Sequence, residues 1–393
     1  MLRICIGLML MLFLANSFAI TELKSIRVAS FNVSMEASNY IAQGTVIRGN
    51  ELSQHLRAGN HSQIKNIAEI IQTIKPDITL LNEFDYSNKS ATDVQNFIKH
   101  YLKVSQNNQK PIDYPYFYIA PVNTGVDSGL DLDKDGIASG TKGDAFGFGL
   151  FPGHYGMLVL SKYPIQVEQI RTFQHFLWKD MPDNLLSTIK DESGQQYYNQ
   201  QAQQILRLSS KSHWDIPIKV GNRSIHLLAS HPTPPVFDGP ENRNGKRNHD
   251  EIRFWTDYLS GSEKSAYIYD DNGKSGGIKG EHFVLAGDLN ASPNEGDGIK
   301  SGIQGLLEHP LVNASIVPNS EGGKAHTPDN LHSAQHTAEW AMRADYVLPS
   351  TSLDVTGSGV FWPKQADPLY HLIKDRQSSS DHRLVWVDIT VAK

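Results

Sequence analysis

The chain has 393 residues, with 42 acidic against 36 basic side chains and a formal net charge of −6 at pH 7. That length can bury its own core. The mild acidity argues against a protein that binds by broad neutralisation of nucleic-acid phosphates, although a local basic patch or a bound divalent cation could substitute. The one cysteine, Cys5, excludes an intramolecular disulfide framework.

Met1–Ala19 has the pattern of a secretory signal peptide. Arg3 gives a positive start, Ile4–Ala15 is an apolar run too short to span a bilayer, and Ser17-Phe18-Ala19 supplies small residues for cleavage after Ala19. Arg3 is the only charged residue there, so its loss takes the net charge from −6 to −7. Cys5 precedes the apolar run and is badly placed for a lipid anchor. The expectation is an exported chain, periplasmic or extracellular, with one domain over residues 20–393 and no stable membrane insertion. Its oligomeric state is not legible.

Ile26–Phe31 alternates as a strand and ends in Asn32. Ile64, Ile67, Ala68, Ile71 and Ile74 share one helical face, which Pro76 terminates. Ile78–Leu81 is a short apolar strand running into Asn82-Glu83. The segment GLDLDKDGIASGTKGD follows, with Asp131, Asp133, Asp135 and Gly136 in a D-x-D-x-D-G pattern suited to Ca²⁺. The twelfth position of an EF-hand loop would be Lys142, which cannot ligate, so Asp144 or Asp127 would have to complete the shell. The alternative is a solvated acidic turn.

Five glycines from Gly143 to Gly156 surround His154 and Tyr155, which precede a strand at Gly156–Leu160 and are candidates to face substrate. Gln195–Gln204 and Asp270–Gly280 are polar surface loops flanked by apolar strands, so neither divides domains. Arg207, Lys211 and His213 lie on a strand-like stretch that suggests no role. Ile225–Ser230 is a strand leading into His231. Arg243, Lys246, Arg247, His249 and Arg253 then add positive charge, with Arg247 the best candidate for a phosphate contact and Glu251–Leu259 a helix. Phe283–Ala286 is a strand followed by Asp288 and Asn290. Asp345 precedes a strand at Tyr346–Leu348, and Asp381-His382 precedes the last one, Leu384–Ile389.

Polar residues thus recur where strands begin or end, the usual location of sites carried by a rigid sheet. Glu83 and Asp381 are hard oxygen donors suited to Mg²⁺ or Mn²⁺, which neutralise and orient a phosphoryl group. Two histidines can divide proton handling, and a buried Asp345 could hold one imidazole in its tautomer. Asp288 can align or deprotonate water while Asn290 donates to a phosphate oxygen.

The ordered motifs SFN, LLNEF, SHP, GDLN, RADYVL and SDHRLVWV resemble the endonuclease/exonuclease/phosphatase, or DNase I-like, superfamily, and they run from Asn32 to His382. The resemblance implies an α/β fold, a four-layer α/β/β/α sandwich of two packed mixed β-sheets, and phosphoester hydrolysis by in-line attack of water. It implies that Glu83 is the metal ligand with Asp381 nearby. Asn32 and Asn290 contact phosphate or metal, and Asp288 positions the nucleophile. His382 is the catalytic histidine with Asp345 behind it, and His231 is the second histidine. Ser34 stands where some DNA-repair members carry an acid, which weakens a repair-enzyme reading. A phosphodiesterase acting on a small molecule or lipid headgroup is the first expectation. A non-specific nuclease and a phosphate-scavenging monoesterase follow. A non-enzymatic, calcium-stabilised binding protein is the alternative of another class, and it would be expected to lack part of the catalytic set.

Overall fold

The computed structural model describes residues 23–42 and 44–392. The proposed signal peptide lies outside the described residues. Among them, eleven strands form two sheets. In chain order they are Leu23–Met35 (β1), Ile78–Phe84 (β2), Tyr116–Ile119 (β3), Met157–Ser161 (β4), Arg171–Thr172 (β5) and His213–Val220 (β6). Arg223–Ser230 (β7), Phe283–Asp288 (β8), Asp345–Pro349 (β9), Asp354–Val360 (β10) and Val385–Ala392 (β11) complete the set. The first sheet has the order β10-β11-β1-β2-β4-β3 and the second β5-β6-β7-β8-β9. Each is mixed, with one parallel pair, β1 with β2 and β7 with β8, among antiparallel neighbours.

A parallel pair needs a crossover, and the crossovers supply the outer layers. Glu51–Ala58 (α1) and Ser62–Ile74 (α2) join β1 to β2. Ser90–Phe97 (α3) packs beside them, while the short helix Gln200–Ile205 (α4) lies in the loop before β6. Arg243–Leu259 (α5) joins β7 to β8, and Lys300–Leu307 (α6) packs on it. In α2 the apolar face formed by Ile64, Ile67, Ala68 and Ile71 is fully buried; Lys75 takes φ +56 after the last turn, and Pro76 cannot continue it. Side-chain alternation in the second sheet divides the two cores. Leu227, Ala229, Val284, Ala286 and Val347 point between the sheets, whereas Leu228, Leu285, Tyr346 and Leu348 meet α5 and α6. The result is the four-layer α/β/β/α sandwich.

This topology gathers one edge. Parallel β1, β2, β7 and β8 end there, and their antiparallel partners β9 and β11 begin there. Asp288, the last residue of β8, is therefore directly opposite Asp345, the first of β9. Among the boundaries that differ from the sequence expectation, two bear on the site. β1 continues past Asn32 to Met35 through a register shift, and α5 begins eight residues before Glu251, at Arg243. The first turns of α5 carry almost no apolar residues, so periodicity does not reveal them.

Candidate active site

Asp288 is the centre of the site and is fully buried. Its Oδ2 accepts from the Asn32 amide at 3.1 Å and faces His231 Nε2 at 3.3 Å and His382 Nε2 at 3.5 Å. Its backbone N–H donates to Asn82 Oδ1 at 3.2 Å, while Asn82 Nδ2 reaches the Ser230 carbonyl at 3.4 Å. Asn82 thereby ties the two sheets together beneath the site. Although burial opposes it, the His382 charge and the His231 and Asn32 hydrogen bonds hold the Asp288 carboxyl well below the usual range. The ionised, accepting form of Asp288 is therefore favoured.

The two histidines differ in charge. Burial, then the charge of Lys211, lowers His231 to about 4, so its ring is neutral. His382 donates from Nδ1 to Asp345 Oδ2 at 2.9 Å. Against the effect of burial, Asp345 and Asp288 hold its proton well above neutrality. Thr337 Oγ1 donates to the same Asp345 oxygen at 2.8 Å and accepts from the Asp345 N–H at 3.0 Å, fixing the carboxylate. Asp345 thus fixes the orientation of the His382 ring through this hydrogen bond.

Glu83 lies on β2 at the same edge, in a left-handed conformation with φ +58. Ser34 (φ +47), Tyr155 (φ +55) and Asn290 (φ +50) share this uncommon geometry and lie at the same edge. Burial, then the negative charge of Asp381, raises Glu83 to about 7. Two carboxylates that repel one another, backed by a third at Glu36, form an oxygen-donor set that a hard divalent cation would stabilise. Glu83 and Asp381 are oxygen donors of the kind a hard divalent cation takes. Ser34, in place of an acid, donates to Asp381 Oδ1 at 3.2 Å, and Arg376 pairs with Asp381 Oδ2 at 3.4 Å. Asn290 donates its side-chain amide to the Pro232 carbonyl at 3.2 Å and its backbone N–H to Asp288 Oδ1 at 3.0 Å.

Three expectations are corrected. Arg247 is half-buried and its guanidinium is already engaged: it donates to the carbonyls of Leu208, Phe146 and Arg207 at 2.9, 2.6 and 2.9 Å, which leaves it committed to backbone and not to a substrate phosphate. The rest of that basic stretch is also engaged locally, Arg243 with Glu241, Lys246 with the Thr188 carbonyl and Arg253 with Asp257. His154 is fully buried and bonds Glu36 Oε2 at 2.8 Å, so it supports the acidic pole from behind. Tyr155, stacked on it at 3.7 Å, is only partly buried and lies close to Glu83 and Glu36, whose charges reinforce the effect of burial in raising its hydroxyl. Finally, Asp135 turns away to cap the Ile137 N–H, and it is Asp144 that joins Asp131 and Asp133, with one oxygen from each within 4.8 Å of the others.

Lys211 was missed. It is 5 % exposed, and its ammonium makes no hydrogen bond or ion pair among the described residues, while its backbone carbonyl accepts from the Asn123 N–H at 2.9 Å. Burial lowers its pKa, and Glu251, Glu83 and Asp288 are the carboxylates that oppose this. Glu251, on α5, accepts from the Ser210 and Thr233 N–H groups, each at 2.6 Å, and so fixes the segments that carry Lys211 and His231. An unpaired lysine next to an ionised aspartate is positioned for a substrate anion, but no sequence pattern marks it.

Asp288 between His231 and His382, beside an acidic pole on the edge of a two-sheet sandwich, is the arrangement to compare with known proteins. The profile of the Endonuclease/Exonuclease/phosphatase family matches residues 29–382. The chain belongs to that family and is a phosphoester hydrolase. No curated protein sequence matches it. Among solved structures, the endonuclease/exonuclease/phosphatase from Beutenbergia cavernae DSM 12333 superposes with a TM-score of 0.50 at 18% identity, over 94% of this chain and 72% of that one. Sphingomyelinase C from Streptomyces griseocarneus gives 0.42 at 14% identity over 93% of this chain and 99% of its own. Truncated TDP2 from Caenorhabditis elegans gives 0.42 at 13% identity over 93% and 98%.

Proposed function

We propose that the protein is an exported, divalent-metal-dependent phosphodiesterase. The observation that carries the chemistry is Asp288, ionised and held by Asn32, His231 and His382 at one sheet edge. In this reading Asp288 accepts a proton from, or aligns, the attacking water. His231, neutral, fixes that geometry without adding charge. His382 presents an N–H to a phosphate oxygen, and Asp345 stabilises the imidazolium. Lys211 neutralises a second phosphate oxygen. A divalent cation at Glu83 and Asp381 would supply charge neutralisation and orientation of the phosphoryl group. Water attacks phosphorus in line as the bond to the leaving oxygen breaks; that oxygen departs opposite the attacking water and takes its proton from solvent, so the proposal includes inversion and no covalent enzyme intermediate.

Paired assays test this: bis(4-nitrophenyl) phosphate and 4-nitrophenyl phosphate with Mg²⁺, Mn²⁺, Ca²⁺ or EDTA, beside His382→Ala. Metal-dependent diester cleavage reduced by ~10²–10⁴-fold in the variant is expected. Cleavage of the monoester alone would replace the diesterase with a phosphatase. The Met1–Ala19 pattern supports export, and among the described residues no helix is long and apolar enough to cross a membrane.

We also propose a structural Ca²⁺ at Asp131, Asp133 and Asp144, where Asp131 Oδ1 is buried without a hydrogen-bond partner. Millimolar Ca²⁺ should raise the Tm of the parent and not that of Asp133→Asn. Equal shifts would remove the site.

A further inference from the structure

The segment between β8 and β9, residues 289–344, leaves the site after Asp288 and returns to it at Asp345. A buried pair ties it shut at its base. His336 is fully buried, and its Nε2 lies 3.1 Å from each carboxylate oxygen of Glu295, 41 positions earlier in the chain. Asn330 Nδ2 donates to Glu295 Oε1 at 2.7 Å, and Thr327 Oγ1 lies 3.3 Å from His336 Nδ1, so both imidazole nitrogens are engaged. Lys300 donates to the Glu295 and Gly296 carbonyls, which holds the outgoing end of the segment in place.

The residue after His336 is Thr337, which supports the catalytic pair directly. Its hydroxyl donates to Asp345 Oδ2 at 2.8 Å and accepts from the Ala344 and Asp345 N–H groups at 2.9 and 3.0 Å. Its carbonyl accepts from the Arg383 N–H at 2.7 Å, and its own N–H donates to the Met342 carbonyl at 3.0 Å. Asp345 Oδ1, by contrast, is buried with no hydrogen-bond partner among the described residues. The carboxylate is therefore aimed by two groups on one oxygen, Thr337 Oγ1 and His382 Nδ1. A shift of Thr337 would turn Asp345 and with it the imidazole. Replacing a buried pair of ionisable groups by apolar residues is often neutral or stabilising, so fixed geometry is the better reason for this one. We propose that Glu295 and His336 are positioning residues: they close the β8–β9 segment at its base and thereby hold Thr337 where it aims Asp345 at His382. The proposal rests on the catalytic reading of Asp345 and His382 above.

Two readouts on the full chain test this. In one-dimensional proton NMR the parent should show a low-field resonance for the His382 Nδ1 proton bonded to Asp345, identified by its loss in Asp345→Asn. His336→Ala should broaden or displace that resonance, and His336→Gln, which can still donate to Glu295, should keep it. Glu295→Gln, a milder break, should move it less in the same direction. With saturating Mn²⁺ and bis(4-nitrophenyl) phosphate, His336→Ala should lower kcat by about ten-fold with KM unchanged, and His336→Gln should restore most of it. On a Thr337→Val background His336→Ala should add no further loss, because both act through the same carboxylate. No such resonance in the parent, a resonance unchanged in His336→Ala, a lower Tm with unchanged kcat, or a kcat loss that adds in full on Thr337→Val would overturn the proposal. A parent that leaves the diester intact refutes the phosphodiester reading, and the resonance alone then decides the role of Glu295 and His336.

Discussion

Asp345 accepts from His382 Nδ1 at 2.9 Å, and its charge, with that of Asp288, keeps the imidazole protonated despite burial. The His382 pKa is thus raised, and the competent form is lost as pH rises. Asp345→Asn withdraws the support, so the alkaline limb of the kcat/KM profile should move to lower pH. At pH 8 kcat/KM should fall by ~100-fold. An unshifted limb would show that Asp345 only packs. Lys211 gives a contrasting case. Lys211→Met keeps the stem and removes an unpaired buried charge, so kcat/KM should fall by ~10- to 100-fold while Tm holds or rises. A falling Tm with unchanged kinetics would assign the lysine to structure. Glu83, Asp288, Asp345 and His382 were legible because each is polar where an apolar strand begins or ends. Lys211 was not, because its lack of a partner exists only once Glu251 holds its segment, and Glu251 is 40 residues away (251 − 211). His154 and Arg247 misled for the converse reason, since their partners are a distant carboxylate and remote carbonyls.

At the scale of elements, β6 enters the core with a histidine. His213 bonds Ser209 Oγ at 2.9 Å and the Glu251 carbonyl at 2.8 Å, and burial lowers it to about 4. Its folded pKa is below the unfolded value near 6.5, so the unfolded chain binds more protons between those limits. Stability should therefore fall as pH drops from about 6.5 toward 4. Urea midpoints at pH 7 and pH 5 should show the loss, and His213→Gln should reduce it, the remainder belonging to His231, which is lowered to about 4 as well. Equal slopes in parent and variant would contradict the assignment. Strands and α2 were legible from period and length. The first half of α5 was not, because its residues Arg243 to Asp250 are held by loop carbonyls and by partners such as Trp178, whose indole donates to Asp250 at 2.7 Å. Those contacts are tertiary and leave no periodic trace.

In the whole molecule, the site exists because two sheets each place a parallel pair at one edge. Asn32 and Asp288 are 256 positions apart in the chain and 3.1 Å apart in space. The order of motifs anticipated that arrangement through resemblance; composition and periodicity alone support only two packed sheets. The acidic pole is the part of the whole that most needs a partner, since Glu83 is raised to about 7 first by burial and then by Asp381. The most direct measurement is the rate of bis(4-nitrophenyl) phosphate hydrolysis against Mn²⁺ concentration, from EDTA upward, for the parent and Glu83→Gln. Saturable activation in the parent, with the variant's curve displaced to at least ~10-fold higher Mn²⁺ and lower at saturation, is the predicted result. Full activity in EDTA, or superimposable curves for parent and variant, would contradict it.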